Sequence, residues 1–486
     1  MSFTKQVVGG AGMITLASAG ARLLSFITVP ILSPLLGPVP YGIMALAGTV
    51  VSLCAILALF GIDTAYARFY LQENSCQRDA TERFCWRFAI LTSLCFSAAA
   101  GLGWYWLGPR WLPDYYQLIA IYSIFAIGLS VSVAMATTRI RLTGNYRKIA
   151  YALSGAALAS VAVNLGVALL WRADVWALLL GTLAGLLTTL ALLGLPAPSI
   201  LMTQSGLPVE TKKAVLVLGA ATSITAPLFW VIASSDRWFL AEFSSNDVIG
   251  VYSMAANIAL LGMMLNSSLT LTWLPEASRL YGQDPVATLQ PLGRLWERLM
   301  VGLALAWLVI VAAGGDVLRL LAAPQFYPGA VYIPWLAGGI FFYGLAGLTN
   351  TVFILTNRMQ IVVWIWVAGT VVCLGLNAWL IPREAAYGAA LAQCISYGVI
   401  GLGILAASRR IMPIVVDWRR LGLSVALAML AGILMSPAWL VNPALSLLIK
   451  LPIGLAVTAL LVYLIAQDWY LQALVLIRKR LRSEGI

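Results

Sequence analysis

The residues of this chain whose chemistry stands out are charges and amides set inside long apolar runs. Asp236 and Arg237 are adjacent in Trp230-Val-Ile-Ala-Ser-Ser-Asp-Arg-Trp-Phe-Leu240, and Arg22 sits in Ala-Gly-Ala-Arg-Leu-Leu-Ser. A charge at the centre of a bilayer costs about 2.5–3.5 kcal/mol on insertion scales and usually faces a cavity or a partner. Arg22 therefore reads as a snorkelling or structurally paired cation, or, the favoured reading, as a cation in a polar cavity that receives an anionic group. Neighbours on a helix project about 100° apart, so Asp236 and Arg237 are expected to serve different faces. One would line a cavity and the other would contact a neighbouring helix or loop. For Arg237 a ligand-facing role and a structural role stand level.

Asp63 and Arg68 close the second apolar segment, where an interfacial anchor and a function are equally good readings. Glu242 and Asp247 read as loop charges. The amides Asn164, Asn257, Asn266, Asn350, Asn377 and Gln393 lie in apolar surroundings and are costly there unless bonded. Gluing helices together is their first reading, and binding sugar hydroxyls the second. Histidine is absent, which removes His metal sites, Ser-His and Cys-His nucleophile pairs and the commonest general base. The six cysteines show no metal-ligand spacing and no disulfide framework. No metal, no cofactor and no catalytic residue is expected, and the chain is not read as an enzyme.

The elements that hold these residues follow from composition. The chain has 486 residues, 61% of them hydrophobic and 10% charged, against roughly 25% charged in a soluble domain. Its apolar runs are about 20 residues long and do not alternate, which fits membrane-spanning helices and not a β-barrel. Fourteen such runs occur, from residues 9–30 to residues 445–466. The first contains Arg22, lacks a convincing small-residue cleavage site and reads as a retained span. With the N-terminus cytoplasmic, most of the 30 Lys and Arg fall on inside loops, while Arg110, Arg172, Arg237, Arg319, Arg383 and Lys450 fall outside. The net charge of +12 is then explained by topology and by attraction to anionic lipid. No single basic soluble face exists to bind nucleic acid.

A faint parallel repeat is visible. Gly42 in Pro-Tyr-Gly-Ile-Met-Ala opens the second span as Gly250 in Ile-Gly-Val-Tyr-Ser-Met-Ala opens the eighth, 208 residues later. Asn164 and Asn377 stand 213 apart in the fifth and eleventh. The implied plan is an all-α polytopic protein: a six-helix lobe over 1–196, a cytoplasmic linker over 197–213, a second six-helix lobe over 214–408, and two further helices with a basic cytoplasmic tail over 409–486. Pro30, Pro34, Pro227, Pro275 and Pro334, with nearby glycines, would bend spans. Aromatic clusters such as Trp104-Tyr105-Trp106 read as an interfacial belt.

Four stretches carry a family resemblance. They are Leu36-Gly37-Pro38 through Tyr41-Gly42, Gly61-Ile-Asp-Thr-Ala-Tyr-Ala-Arg-Phe-Tyr70, Asp236-Arg237-Trp-Phe-Leu240 leading to Gly250-Val-Tyr252, and Tyr332-Ile-Pro-Trp-Leu-Ala-Gly-Gly339. Each is degenerate alone, but their order and spacing resemble the bacterial polysaccharide transporters, the Wzx-type flippases of the MOP (multidrug/oligosaccharidyl-lipid/polysaccharide) exporter superfamily. The resemblance covers most of the chain. It implies fourteen helices in a MATE/MOP-like fold with a central cavity opening alternately to each side of the bacterial cytoplasmic (inner) membrane, both termini cytoplasmic. It further implies an undecaprenyl-pyrophosphate-linked glycan, such as an O-antigen unit, as cargo. Membrane lipid and other polysaccharide-assembly membrane proteins are the expected partners. On this resemblance Arg22 and Arg237 match cationic cavity positions, Arg68 sits in its motif, and Asp236, Asn257 and Asn266 join them as cavity candidates. Asp63, Asp236 and Glu242 are the acids available for proton or sodium coupling. The alternatives are a lipid II flippase or a cation-coupled drug exporter of the same superfamily. A membrane polysaccharide polymerase or ligase ranks below them, since no large external loop and no nucleophile–base pair occurs.

Overall fold

Apolar segments in a bilayer can satisfy every backbone N–H and C=O internally only as helices or closed barrels. This chain takes the first solution. The computed structural model describes residues 3–72, 75–196, 206–284 and 288–465, and no strand occurs among the described residues. The helices are α1 Phe3–Leu36, α2 Pro38–Leu59, α3 Ile62–Gln72, α4 Ser75–Leu107, α5 Tyr116–Leu142, α6 Tyr146–Leu170 and α7 Val175–Leu193. After them come α8 Val209–Ser223, α9 Thr225–Phe243, α10 Asn246–Ala259, α11 Leu261–Gln283, α12 Leu289–Leu321, α13 Ile333–Leu355, α14 Met359–Ile411, α15 Trp418–Met435 and α16 Pro443–Ile465.

Thirteen described helical stretches are long and apolar enough to cross a membrane. One of them, α14, is 53 residues long and holds two spans joined at Ala385, where the backbone leaves helical geometry. The all-α, fourteen-span expectation therefore holds. Part of the expected linker, residues 197–205, and the basic tail with Arg478, Lys479, Arg480 and Arg482 lie outside the described residues.

Packing separates two compact units, Met1–Ser253 with Leu321–Gln325, and Met254–Leu320 with Phe326–Ile486. Residues 214–253, grouped with the second lobe by the sequence repeat, pack in the first unit. One span of that unit is broken and another is bent. The second stops at Phe60 (φ 47°) and Gly61 (φ 64°) and resumes as α3. Asp63 then falls in the first turn of α3, where a carboxylate complements the helix dipole. The seventh span bends at Ile224 between α8 and α9, with helical dihedrals kept at that residue, and Pro227 lies in the first turn of α9, where proline is tolerated. The break and the bend meet: a Cβ on Gly219 would stand 2.7 Å from the Phe60 carbonyl oxygen. Beside them Ile56, Leu57, Phe60, Ala220, Ile224 and Pro227 line an apolar groove of about 210 Å³. The core of this unit gathers Tyr66, Trp86, Met135 and Ile149, all fully or almost fully buried.

The glycines matched by the repeat touch each other's segments. A Cβ on Gly42 would collide with the Asn246 carbonyl, and one on Gly250 with the Pro38 carbonyl. Pro38 and Asn246 also stand 208 residues apart, so the crossing of α2 with α10 is reciprocal. Small residues let two backbones approach this closely. The end of α1 joins the same region: Ala323 N–H donates to the buried Ser33 Oγ at 2.9 Å.

In the second unit, α11 and α13 are tied by side chains that donate to backbone. Trp273 Nε1 donates to the Leu348 carbonyl at 2.7 Å and Asn266 Nδ2 to the Ile340 carbonyl at 2.9 Å.

Two stability outcomes follow. Gly250→Ala should lower the unfolding free energy by about 1–3 kcal/mol through overpacking at the crossing, read by thermal denaturation in detergent. Ala385 holds φ 47° and ψ −127°, a conformation open to glycine and strained for other residues. Ala385→Gly should therefore raise stability by about 1 kcal/mol in the same assay, and Ala385→Val should lower it.

Candidate functional site

The stretch around Asp236 shows how a charge is accommodated in an apolar helix. Asp236 lies on α9 and is 1% exposed. Tyr252, on α10, donates its hydroxyl to Asp236 Oδ2 in a short hydrogen bond. The Arg237 backbone N–H donates to Asp236 Oδ1 at 2.8 Å, and Arg237 Nη1 lies 3.3 Å from the same oxygen. Arg237 Nη1 also donates to the Ala233 carbonyl at 2.9 Å, one turn back, and its guanidinium carbon stands 5.9 Å from the Tyr252 ring centroid. The expectation that adjacent side chains serve separate faces is corrected here. Their Cβ vectors do diverge, but the arginine side chain is long enough to fold back on its neighbour. Arg237 belongs to a helix, not to a loop.

Farther along α9, Glu242 is no isolated loop charge. It pairs with Arg110, and Trp111 Nε1 donates to it at 3.0 Å. Trp238 packs 5.3 Å from Trp111 and 5.8 Å from Trp104, ring centre to ring centre. Its Nε1 donates to Thr49 Oγ1 at 2.9 Å. Trp104 is buried, so it belongs to this packed aromatic cluster, while Tyr105 and Trp106 remain exposed as an interfacial belt requires.

The other candidates separate by exposure. Arg22 lies within the first span, Ala17–Leu36, and is exposed. Arg68 on α3 and Asn257 on α10 are exposed, and Asp63 is half-buried. Asn266 is buried and its amide is engaged in joining α11 to α13. The structure thus brings Asp236 and Arg237 together.

Two ion pairs with buried carboxylates escaped sequence reasoning. In the second unit Lys450 Nζ sits 2.5 Å from Asp316 Oδ2, with the side chains 3% and 1% exposed. The ammonium also donates to the carbonyls of Pro437 (2.8 Å) and Ala312 (3.1 Å), and Ser446 Oγ donates to Asp316 at 3.0 Å. This cluster fastens α16 to α12. Lys450 is therefore no outside-loop cation, which corrects the loop assignment. The available signal was opposite charges each set inside an apolar run, Gly-Gly-Asp-Val-Leu and Leu-Ile-Lys-Leu. In the first unit Arg139 Nε lies 3.1 Å from Glu82 Oε1, with Glu82 largely buried. Assigning the basic residues to inside loops hides the part Arg139 plays here.

These features define a multi-pass, all-helical membrane protein whose intramembrane charges are mostly consumed by internal pairs. Residues 31–292 match the family described as polysaccharide biosynthesis protein. The match spans more than half of the chain, and the chain belongs to that family. Its fold resembles lipid II flippase MurJ in an inward closed conformation, with a TM-score of 0.73 at 11% identity over 94% of this chain and 99% of that one. It also resembles an inward-facing multidrug resistance MATE transporter of the MOP superfamily, with a TM-score of 0.60 at 13% identity over 82% and 95% of the two chains. A third likeness is to a MOP superfamily transporter from Pyrococcus furiosus described as having a binding pocket of reverse polarity, with a TM-score of 0.51 at 15% identity over 82% and 93%. At such identities the likeness is one of fold. No curated protein sequence matches the chain.

The Asp316–Lys450 pair makes a distinct stability prediction. Lys450→Met leaves a carboxylate buried without its counter-charge and should cost about 3–5 kcal/mol, whereas Lys450→Met with Asp316→Leu should recover most of that loss. Unfolding of the detergent-solubilised single and double variants measures the difference.

Proposed function

We propose that the protein is a flippase that moves an undecaprenyl-pyrophosphate-linked oligosaccharide, the repeat unit of a polysaccharide, from the inner to the outer leaflet of the bacterial cytoplasmic membrane by alternating access. Family membership supports the polysaccharide context. The fold supports transport, since one protein of the same fold is described as a lipid II flippase. In this reading the Lys- and Arg-rich ends and both termini face the cytoplasm.

The observation that carries the proposal is Arg22, an exposed guanidinium inside an apolar helix of membrane-spanning length. A pyrophosphate is multiply anionic, and a guanidinium meets it with parallel, charge-assisted hydrogen bonds. Arg22 is the headgroup-binding residue of this proposal. Arg68 offers a second exposed cation, and Asn257 an exposed amide suited to sugar hydroxyls. Arg237, Asp236 and Asn266 are engaged with protein groups and are assigned positioning roles. Asp236 and Glu242 are engaged by arginines, so Asp63 is the acid we retain for proton or sodium coupling.

Complementation of a deletion strain tests the reading. Arg22→Ala, expressed at the normal level, should reduce surface polysaccharide at least about tenfold, as loss of a charged hydrogen bond implies. A complete lipid-linked repeat unit should accumulate on the inner leaflet. Full export by Arg22→Ala would overturn the headgroup assignment. Unchanged surface glycan in the deletion strain itself, with hypersensitivity to drugs, would overturn the flippase reading in favour of an exporter.

A further inference from the structure

The Glu82–Arg139 pair of the first unit is built differently from the other two pairs with buried acids. Glu82 lies on α4 with its side chain 7% exposed, and Arg139, in the last turn of α5, is 30% exposed. Lys450 and Arg237 are more enclosed, at 3% and 14%. This pair thus joins a buried acid to a base that reaches the surface. Arg139 Nε stands 3.1 Å from Glu82 Oε1, yet that oxygen receives no aligned hydrogen bond from any described residue. A guanidinium set squarely on a carboxylate makes two parallel hydrogen bonds, and here there is a charge contact without them.

The surroundings of the carboxylate are short of partners. Arg83 Nε, beside it in sequence, and Trp86 Nε1, one turn on, are buried and meet no acceptor among the described residues. Tyr66, fully buried on α3, brings its hydroxyl towards Glu82. Around the pair stand Tyr66 and Tyr70 of α3 and Asp79 and Cys85 of α4. Helix α2, which also packs on α4, carries no Asp, Glu, Lys or Arg. Arg139 is the cation that compensates Glu82. Buried polar groups left short of partners are uncommon in packed protein and call for an explanation.

The pair ties a ligand to a proton. An anion that reaches Arg139 competes with Glu82 for one guanidinium, and phosphate oxygens offer the parallel acceptors that the present contact lacks. Once the guanidinium turns to the anion, Glu82 is buried without a counter-charge, a state far less stable than its neutral form.

We propose that Glu82 and Arg139 form a proton-linked anion site, in which a pyrophosphate diester draws Arg139 out of the pair while Glu82 takes up one proton. The proton comes from the adjoining water, forms the Glu82 O–H bond and leaves again when Arg139 returns. No other covalent bond is made or broken. The identity of the anion rests on the flippase reading, because the proposed cargo carries such a diester, whereas the proton count does not depend on it. On that reading the last turn of α5 faces the cytoplasm, the side on which the cargo is loaded.

Titration calorimetry of the purified full-length chain in detergent, with UDP-glucose as a water-soluble pyrophosphate diester, tests the proposal. The phosphates of this probe stay ionised from about pH 6 to about pH 8, so a proton taken up on binding enters the protein. Buffers of different ionisation heat should report about one proton taken up per anion, and affinity should fall by up to about tenfold per unit rise in pH. Glu82→Gln should bind at every pH as the native chain does at the acid end, with no proton uptake. Glu82→Gln/Arg139→Gln, which leaves no unpaired charge, should bind at least about tenfold more weakly than Glu82→Gln. Absence of binding, or binding by the native chain without proton uptake, overturns the proposal. Uptake that persists in Glu82→Gln also overturns it and moves the linkage to another acid such as Asp63. Equal affinity in the double variant overturns Arg139 as the anion's partner. Equal proton uptake with dioleoyl-phosphatidylglycerol overturns the pyrophosphate diester as occupant in favour of membrane lipid. The surface glycan of the deletion strain decides the flippase reading separately.

Discussion

A charge inside a membrane-spanning helix must find its counter-charge within its own packing or be met by something brought from outside. That constraint orders most of this molecule. Asp236 is enclosed by the Tyr252 hydroxyl, the Arg237 backbone N–H and the Arg237 guanidinium. Asp316 is enclosed by Lys450 and Ser446. Glu82 faces Arg139. In each case the pair also joins two different elements or two turns of one element, so neutralisation and packing are the same event. Removing one partner leaves a desolvated charge, whereas exchanging both for apolar groups is far less costly.

A second constraint is backbone proximity. Gly42 and Gly250 are neighbours in space because neither α2 nor α10 carries a side chain where they cross. The crossing is reciprocal, with Pro38 against Gly250 and Asn246 against Gly42. A faint repeat in the sequence and a symmetric contact in the fold thus support one another. Neither was strong alone: the repeat rested on two short matches, and close glycine crossings are common among membrane helices. Their coincidence at an identical offset is the informative fact.

The spans were legible because hydrocarbon imposes length and apolarity directly on the sequence. The break at Phe60–Gly61 and the turn at Ala385 were not, since the first lies within a continuous apolar run and the second adopts a conformation that its residue type disfavours. The ion pairs were not legible for a different reason. Lys450 lies 134 residues from Asp316, and a rule that assigns each lysine near the end of a span to a loop hides it. The pairing of Asp236 with Arg237 was hidden by reasoning from Cβ directions alone, which leaves out the reach of an arginine. Arg22 was legible as a charge inside an apolar run, and in the fold it is exposed.

Exposure and engagement together decide what an arginine can report about function. Arg237 carries two loads, holding Asp236 and bonding the Ala233 carbonyl. Its loss would leave Asp236 buried with only Tyr252 and a backbone N–H as partners. A transport defect in an Arg237 variant would therefore mix a folding penalty with any loss of substrate contact. Arg22 is exposed within its span, so replacing it empties no packed space. The residue that first draws the eye in the sequence is thus the poorer witness to ligand chemistry. The less conspicuous arginine of the first span is the better one, for the same physical reason that makes a buried charge expensive.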